Sequence, residues 1–428
     1  MADNQKLAIL VGGGPAPGIN SVIGAATIRA CLSGIEVVGV EDGFQWIMKG
    51  NTDHTRRLDI ETVSRLHFRG GSLLRTARAN PTKDAKTLAA TVESLKKLGV
   101  GKLVTIGGDD TAFSALKIAE QSGGSLRVVH VPKTIDNDLD LPDMIPTFGY
   151  QTARHVGAGI VQDLLTDAQT TSRWYFVVAM GRKAGHLALG IGKAAGATLT
   201  IIPEEFGKKI IPLDEMADIL VGAMLKRMAG GRQDGVAVLA EGLVEHLDED
   251  ELRKVSGDDV ELDEHGHIRI AEIEFGPIIK TRVQEKLKAL GVKATIVSKN
   301  IGYELRCTDP IPFDMEYTRD LGYCAAKFLI EGGSGAMVSV QQGKFKPIKF
   351  ADMLDPATGR TRVRMVDIDT ESYKIARRYM IRLRRDDFED GKDLDRLAGI
   401  SKLTPDAFKK RFGYLVEREA PPLTFSYP

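Results

Sequence analysis

Four carboxylates, a lysine and several glycines stand where apolar runs of this chain end, and together they could handle a phosphoryl group. Leu103 to Ile106 is followed by Gly107-Gly108-Asp109-Asp110-Thr111. Glycines beside carboxylates suit a magnesium–phosphate site. Mg²⁺ takes one or two carboxylates and fills its other positions with phosphate and water. N-capping of the next helix by Asp110 or Thr111 is the plainer alternative. Val128 to Val131 is followed by Pro132-Lys133-Thr134-Ile135-Asp136-Asn137-Asp138. Transfer to an alcohol needs a base for the hydroxyl, a cation for the donor, and metal. Asp136 and Lys133 could supply the first two, though a polar turn would explain the same residues.

Two further run ends carry anion-binding chemistry. Gly12-Gly13-Gly14-Pro15-Ala16-Pro17-Gly18 precedes a helical pattern, so its backbone N–H groups could approach an anion. A tight turn is the bland reading. A dinucleotide-binding turn, with Glu41 as ribose acceptor, is disfavoured because Pro17 stands where G-x-G-x-x-G needs its third glycine, and the Walker A lysine is missing. Met180-Gly181-Arg182 also follows an apolar run, and an arginine there could fork onto phosphate or developing negative charge. The sequence lacks HExxH and GxSxG, so zinc chemistry and covalent nucleophilic catalysis are unsupported. The basic stretches lack interleaved aromatics and any nucleic-acid module.

The elements that must position these groups alternate. Leu7 to Val11, Glu36 to Val40, Leu103 to Ile106, Val128 to Val131, Tyr175 to Met180, Leu199 to Ile202 and Val236 to Leu239 read as strands. Helical patterns separate them, beginning with Ile19 to Leu32. That alternation predicts an α/β fold, and continuous apolar strands predict a parallel sheet covered on both faces. Ligands of such sheets bind beyond the carboxyl ends of the strands. The 428 residues allow two or three domains. With 58 basic and 58 acidic residues there is no global field to draw nucleic acid or a membrane. No apolar run is long enough to span a bilayer, and no signal-peptide pattern opens the sequence, so the cytoplasm is expected. Cys31, Cys307 and Cys324 lack CxxC spacing and are expected as reduced, small core residues. The acidic stretch Glu245 to His267 is expected as an exposed insertion. Arg377 to Arg385, followed by Asp386, Asp387, Glu389 and Asp390, is expected as a solvated helix face.

In order and spacing, GGGPAPGIN, GGSLLRTAR, GGDDT, PKTIDND, MGRKAGHLAL, AEG and GYELR resemble the phosphofructokinase family, over roughly Leu7 to Gln341. Any one of these pieces alone would be weak. The resemblance implies two doubly wound parallel-sheet domains with the active site in the cleft between them. It places a donor and magnesium domain at about 1–148, with a return from about 306 to 365. A sugar-phosphate domain follows at 149–305, then a C-terminal helical extension at 366–428. Asp110 and Lys133 stand where ATP-dependent members have glycine, which points to the pyrophosphate-dependent branch. An Asp side chain would fill and repel the space that a nucleotide's α-phosphate needs. Lysine would supply a point charge to a small donor that has no adenosine handle.

Carried over residue by residue, Gly13 and Arg78 would contact the diphosphate together with Lys133, and Asp109 would hold Mg²⁺. Asp136 would be the base for the sugar 1-hydroxyl, with Thr134 and Ile135 beside it. Met180, Gly181 and Arg182 would bind the sugar phosphate, with Arg182 also balancing transition-state charge. Glu241 would accept from sugar hydroxyls. Tyr303, Glu304, Leu305 and Arg306 would hold the 6-phosphate, mainly through Arg306. Arg173 would reach into a neighbouring subunit's site, implying a homodimer or homotetramer. Many members have His where Tyr303 stands, and Lys299 is the nearest basic candidate for a second intersubunit residue. The implied reaction is reversible transfer from pyrophosphate to O1 of fructose 6-phosphate, in glycolysis or gluconeogenesis. An ATP-dependent enzyme and a non-catalytic regulatory subunit are the alternatives. The latter would be expected to have lost carboxylates such as Asp109, Asp136 and Asp138.

Overall fold

A computed structural model of the chain describes residues 5–207, 209–256, 273–356, 361–389, 391–417 and 419. Its strands are β1 (Lys6–Val11), β2 (Val37–Val40), β3 (Thr55–Leu58), β4 (Val100–Gly107), β5 (Arg127–Thr134), β6 (Phe148–Gly149), β7 (Trp174–Ala179), β8 (Leu199–Ile201), β9 (Gly235–Ala240), β10 (Ile296–Ile301), β11 (Ala336–Met337), β12 (Val340–Gln341), β13 (Lys344–Phe345) and β14 (Ile348–Lys349). They fall into two compact units. One comprises residues 1–154 and 303–364, and the other residues 155–302 and 365–428.

The first unit holds an 8-stranded sheet in the order β14-β11-β5-β4-β1-β2-β3, with β6 paired to β5. Pairs from β11 through β2 are parallel, whereas β3 and β14 run antiparallel at the edges. Burial on both faces can be read along β1. Leu7, Ile9 and Val11 pack into one apolar cluster with the helices Ile19–Cys31 and Pro312–Ile330. Ala8 and Leu10, pointing the other way, pack with Leu95 and Ala115. The apolar runs are therefore continuous because neither face of the sheet meets water.

The second unit holds a sheet in the order β10-β7-β9-β8, parallel throughout. Both sheets confirm the expected α/β class. The sequence boundaries at 148 and 305 fall at 154 and 302 in the structure, and residues 365–428 are part of the second unit. Of the acidic stretch Glu245 to His267, the described part includes the helix Glu249–Ser256, and residues 257–267 lie outside the described residues. No helix among the described residues is long and apolar enough to cross a membrane.

Two expectations are corrected. The basic stretch after Arg377 is not a solvated helix face: the helix ends at Tyr379, and Arg382 is 4% exposed. Arg382 donates to both Glu205 carboxylate oxygens, at 2.8 and 2.9 Å, and Arg377 joins Glu205 to Glu419. Asp387 takes Lys226 at 2.6 Å. These charges are buried because each has an opposite partner far away in sequence, which charge patterning along the chain does not reveal. Burial raises the Glu205 pKa, but Arg382 and Arg377 outweigh it and hold the carboxyl below its usual range. The second correction concerns Cys307, which is exposed, whereas Cys31 and Cys324 pack beside the core as expected.

Candidate active site

In the first unit the predicted groups converge on the carboxyl ends of β1, β4 and β5. The turn after β1 needs glycine at position 13, where φ is +78°. Its backbone is tied down on both sides. Gly13 N–H donates to Ala77 O at 3.0 Å, and the Thr76 hydroxyl donates to Gly13 O. This fixes the segment that carries Arg78, whose side chain is exposed. Lys133, 5% exposed near the end of β5, donates from Nζ to Gly14 O. Arg306 also reaches this turn, its Nη2 3.0 Å from where a Gly14 side chain would begin. Arg306 and Tyr303 belong to the short helix Tyr303–Arg306, with the guanidinium 5.1 Å from the ring centroid. Leu305 is buried and Glu304 exposed. The turn is thus met by two cations, Lys133 and Arg306, whose charge would favour an anion there.

Asp109 and Asp110 occupy the first turn of the helix Asp109–Gln121, directly after β4. His130 supports this turn from the neighbouring strand. It is fully buried, and its Nε2 lies 3.0 Å from Gly107 O, with Nδ1 2.9 Å from the Thr105 hydroxyl. A carbonyl only accepts, so Nε2 carries the proton and Nδ1 accepts from Thr105. Burial pushes the His130 pKa down to about 3, so the ring is neutral. No group of three or more metal-ligating side chains occurs among the described residues. A cation at Asp109 would therefore complete its shell from phosphate oxygens and water, which fits Mg²⁺.

Thr134 ends β5, and Ile135 and Asp136 open the loop after it, only 4% and 8% exposed. Asp136 N–H donates to Thr134 Oγ1 at 3.0 Å. Asn137 takes a left-handed conformation, φ +58°.

The second unit brings together a different set. Met180, Gly181 and Arg182 follow β7, and Glu241 follows β9. Glu241 Oε2 accepts from the N–H groups of Gly181 and Arg182, both at 3.1 Å. Glu241 is thus a clamp on the predicted sugar-phosphate loop. Gly242 allows the close approach, since a side chain there would begin 2.4 Å from Arg182 O. Arg173 precedes β7, partly buried, and Lys299 is exposed on β10.

Sequence reasoning missed three supporting residues. His130 sits within an apolar run and carried no motif. Glu204, after β8, accepts from Gly185 N–H and Val366 N–H through Oε1, both at 2.9 Å. It holds the far end of the loop that begins at Met180, and burial raises its pKa. Arg364 donates to the loop after Asp136, from 227 residues away. Glu41, considered as a ribose acceptor, instead pairs with Arg75 at 2.8 Å.

Each unit, taken by itself, gathers its predicted groups at the carboxyl ends of parallel strands, where α/β proteins bind their ligands. The phosphofructokinase family model matches residues 6–329, and the chain belongs to that family. It is 54% identical over 416 residues to a Thermotoga maritima protein named pyrophosphate–fructose 6-phosphate 1-phosphotransferase, covering 96% of this chain and 99% of that one. A Naegleria fowleri protein of the same name is 49% identical, covering 96% of each chain. In structure the chain resembles a pyrophosphate-dependent phosphofructokinase from Nitrosospira multiformis, with TM-score 0.65 and 19% identity, over 100% of this chain and 95% of that one. It also resembles phosphofructokinase from Saccharomyces cerevisiae, with TM-score 0.64 and 20% identity, over 97% of this chain but 48% of that longer one.

Proposed function

We propose that this protein transfers a phosphoryl group from pyrophosphate to O1 of fructose 6-phosphate, giving fructose 1,6-bisphosphate and phosphate. The observation that carries this reading is the buried Lys133 ammonium pinned on the Gly13-Gly14 turn. A compact cation at a glycine turn suits a small, highly charged anion. The identity of 54% to a protein named for this reaction supports it.

Asp136 takes the proton from O1, and the oxygen forms a bond to the near phosphorus of pyrophosphate. The bridging P–O bond breaks and phosphate leaves with its electron pair. Gly13, Lys133 and Arg78 bind the donor. Asp109 would hold Mg²⁺, which supplies positive charge to the pyrophosphate oxygens. Thr134 fixes the Asp136 backbone. Met180, Gly181 and Arg182 bind the sugar phosphate on a loop ordered by Glu241, and Arg182 balances charge in the transition state. Arg306 supplies a cation to phosphate. One phosphoanhydride is exchanged for a sugar phosphate ester with modest change in free energy, so the reaction runs both ways and serves glycolysis or gluconeogenesis.

The active form is a homodimer or homotetramer in which Arg173 completes a neighbour's site. Full activity from a species of one-chain mass in sedimentation would contradict this. Three free thiols fit the cytoplasm. The reaction itself is tested by ³¹P NMR of the purified protein with fructose 6-phosphate, pyrophosphate and Mg²⁺. Orthophosphate and fructose 1,6-bisphosphate in equal amounts are expected. Orthophosphate alone would mean a pyrophosphatase and sink the reading.

A further inference from the structure

We infer that Arg364 is a positioning residue for catalysis, one that fixes the loop carrying Asp136 from a segment beyond the family-matched residues 6–329. The inference rests on the proposed reaction. Arg364 is 6% exposed, and its guanidinium reaches the loop between Asn137 and Ile145. Nε and Nη2 donate to Asn137 O at 3.1 and 3.0 Å, and Nη1 donates to Ile145 O at 3.0 Å. Nη2 also donates to Asn137 Oδ1 at 2.5 Å. The backbone joins in, since Arg364 N–H donates to Asp138 O at 2.7 Å and Val363 bridges Leu139 antiparallel.

Most of these contacts land on a residue in an uncommon backbone conformation. Asn137 is left-handed, a conformation that costs free energy outside glycine, though asparagine tolerates it better than most. Its carbonyl is taken by the guanidinium, and its side-chain oxygen also accepts from Thr147 N–H at 3.0 Å. The Thr147 hydroxyl returns to Thr134 O at 2.8 Å. Asp136 is thus bracketed by Thr134 and Asn137, each anchored. Burial pulls the Arg364 pKa down, while Asp140 and Asp138 favour its charge. A lysine has one donor atom and cannot span carbonyls this dispersed.

The test compares the parent with Arg364→Ala and the milder Arg364→Gln, each with and without added ethylguanidinium. Arg362→Met is the control, since Arg362 makes an exposed ion pair with Asp140 at 3.2 Å. The readouts are kcat, both Michaelis constants, and amide hydrogen exchange of residues 135–139. Arg364→Ala should lower kcat about 10²-fold, as small misplacements of reacting groups do. The Michaelis constants should stay within about threefold, the pattern of a lost transition-state interaction. Exchange in 135–139 should quicken, and ethylguanidinium, but not ethylammonium, should restore both exchange and kcat. Arg362→Met should match the parent. The inference is overturned if either Arg364 variant keeps near-parent kcat, if only the Michaelis constants change, or if kcat falls while loop exchange does not quicken. Exchange is read without substrate, so a parent inactive toward these substrates would sink the proposed reaction, while the loop measurement would still decide whether Arg364 holds 135–139.

Discussion

His130 and Gly107 are joined across β5 and β4 by a 3.0 Å hydrogen bond in which the imidazole Nε2–H donates to the carbonyl. The ring is buried, and burial pushes its pKa down to about 3 from 6.5 even though the bond to Gly107 favours the charged form. The unfolded chain therefore binds the proton first. The contribution to stability is complete above about pH 6.5 and is lost as pH falls from there toward about 3. Between pH 7.5 and 5 it should cost about 2 kcal/mol. His130→Gln does not titrate, so urea unfolding should show a smaller loss for it over that interval. Equal losses in the two proteins would refute this assignment.

Asp136→Ser should remove most turnover while leaving fructose 6-phosphate binding nearly intact. Loss of a general base typically costs about 10²–10⁴-fold. Calorimetric binding and steady-state rates check it together. A variant that retains more than about a tenth of parental turnover would exclude Asp136 as the base.

Glu204→Gln should be tolerated and Glu204→Ala should not. The Gln amide oxygen can still accept from Gly185 and Val366, and it removes a carboxylate whose pKa burial has raised. A raised carboxyl pKa means stability falls as pH rises above 4.5, so the Gln variant should be at least as stable as the parent at pH 7.5. Alanine frees the Gly185 end of the loop and should raise the Michaelis constant for fructose 6-phosphate more than for pyrophosphate. Parallel changes in both constants would show that Glu204 does not act through that loop.

The strands were legible because burial on both faces leaves an apolar run with polar residues only at its ends. That is why Lys133, Asp136 and Arg182 stood out. Edge strands such as β3, with Arg56 and Arg57 exposed, carry no such signature. Arg364 and Glu204 were invisible for a different reason. Their partners are backbone groups of distant loops, and a backbone carbonyl or N–H leaves no trace in residue type. Arg382 and Asp387 look like surface charges until Glu205 and Lys226 are brought beside them.

Donor choice should respond to Asp110 and Lys133 separately. Lys133→Gly should weaken pyrophosphate use without creating ATP use. Asp110→Gly removes both bulk and like charge from the first turn after β4, and the double variant should shift preference toward ATP, weakly where an adenosine site is lacking. Because specificity is a ratio of transition-state binding energies, efficiency with both donors must be compared in all four proteins. An ATP-to-pyrophosphate ratio that does not rise with Asp110→Gly would defeat this explanation.

The most direct measurement takes the unaltered protein with fructose 6-phosphate and Mg²⁺ and compares kcat/KM for pyrophosphate and for ATP under identical conditions. Efficiency with pyrophosphate should be higher by about 10²-fold or more, the size of discrimination that steric and charge rejection at one site provides. Comparable or greater efficiency with ATP would contradict it.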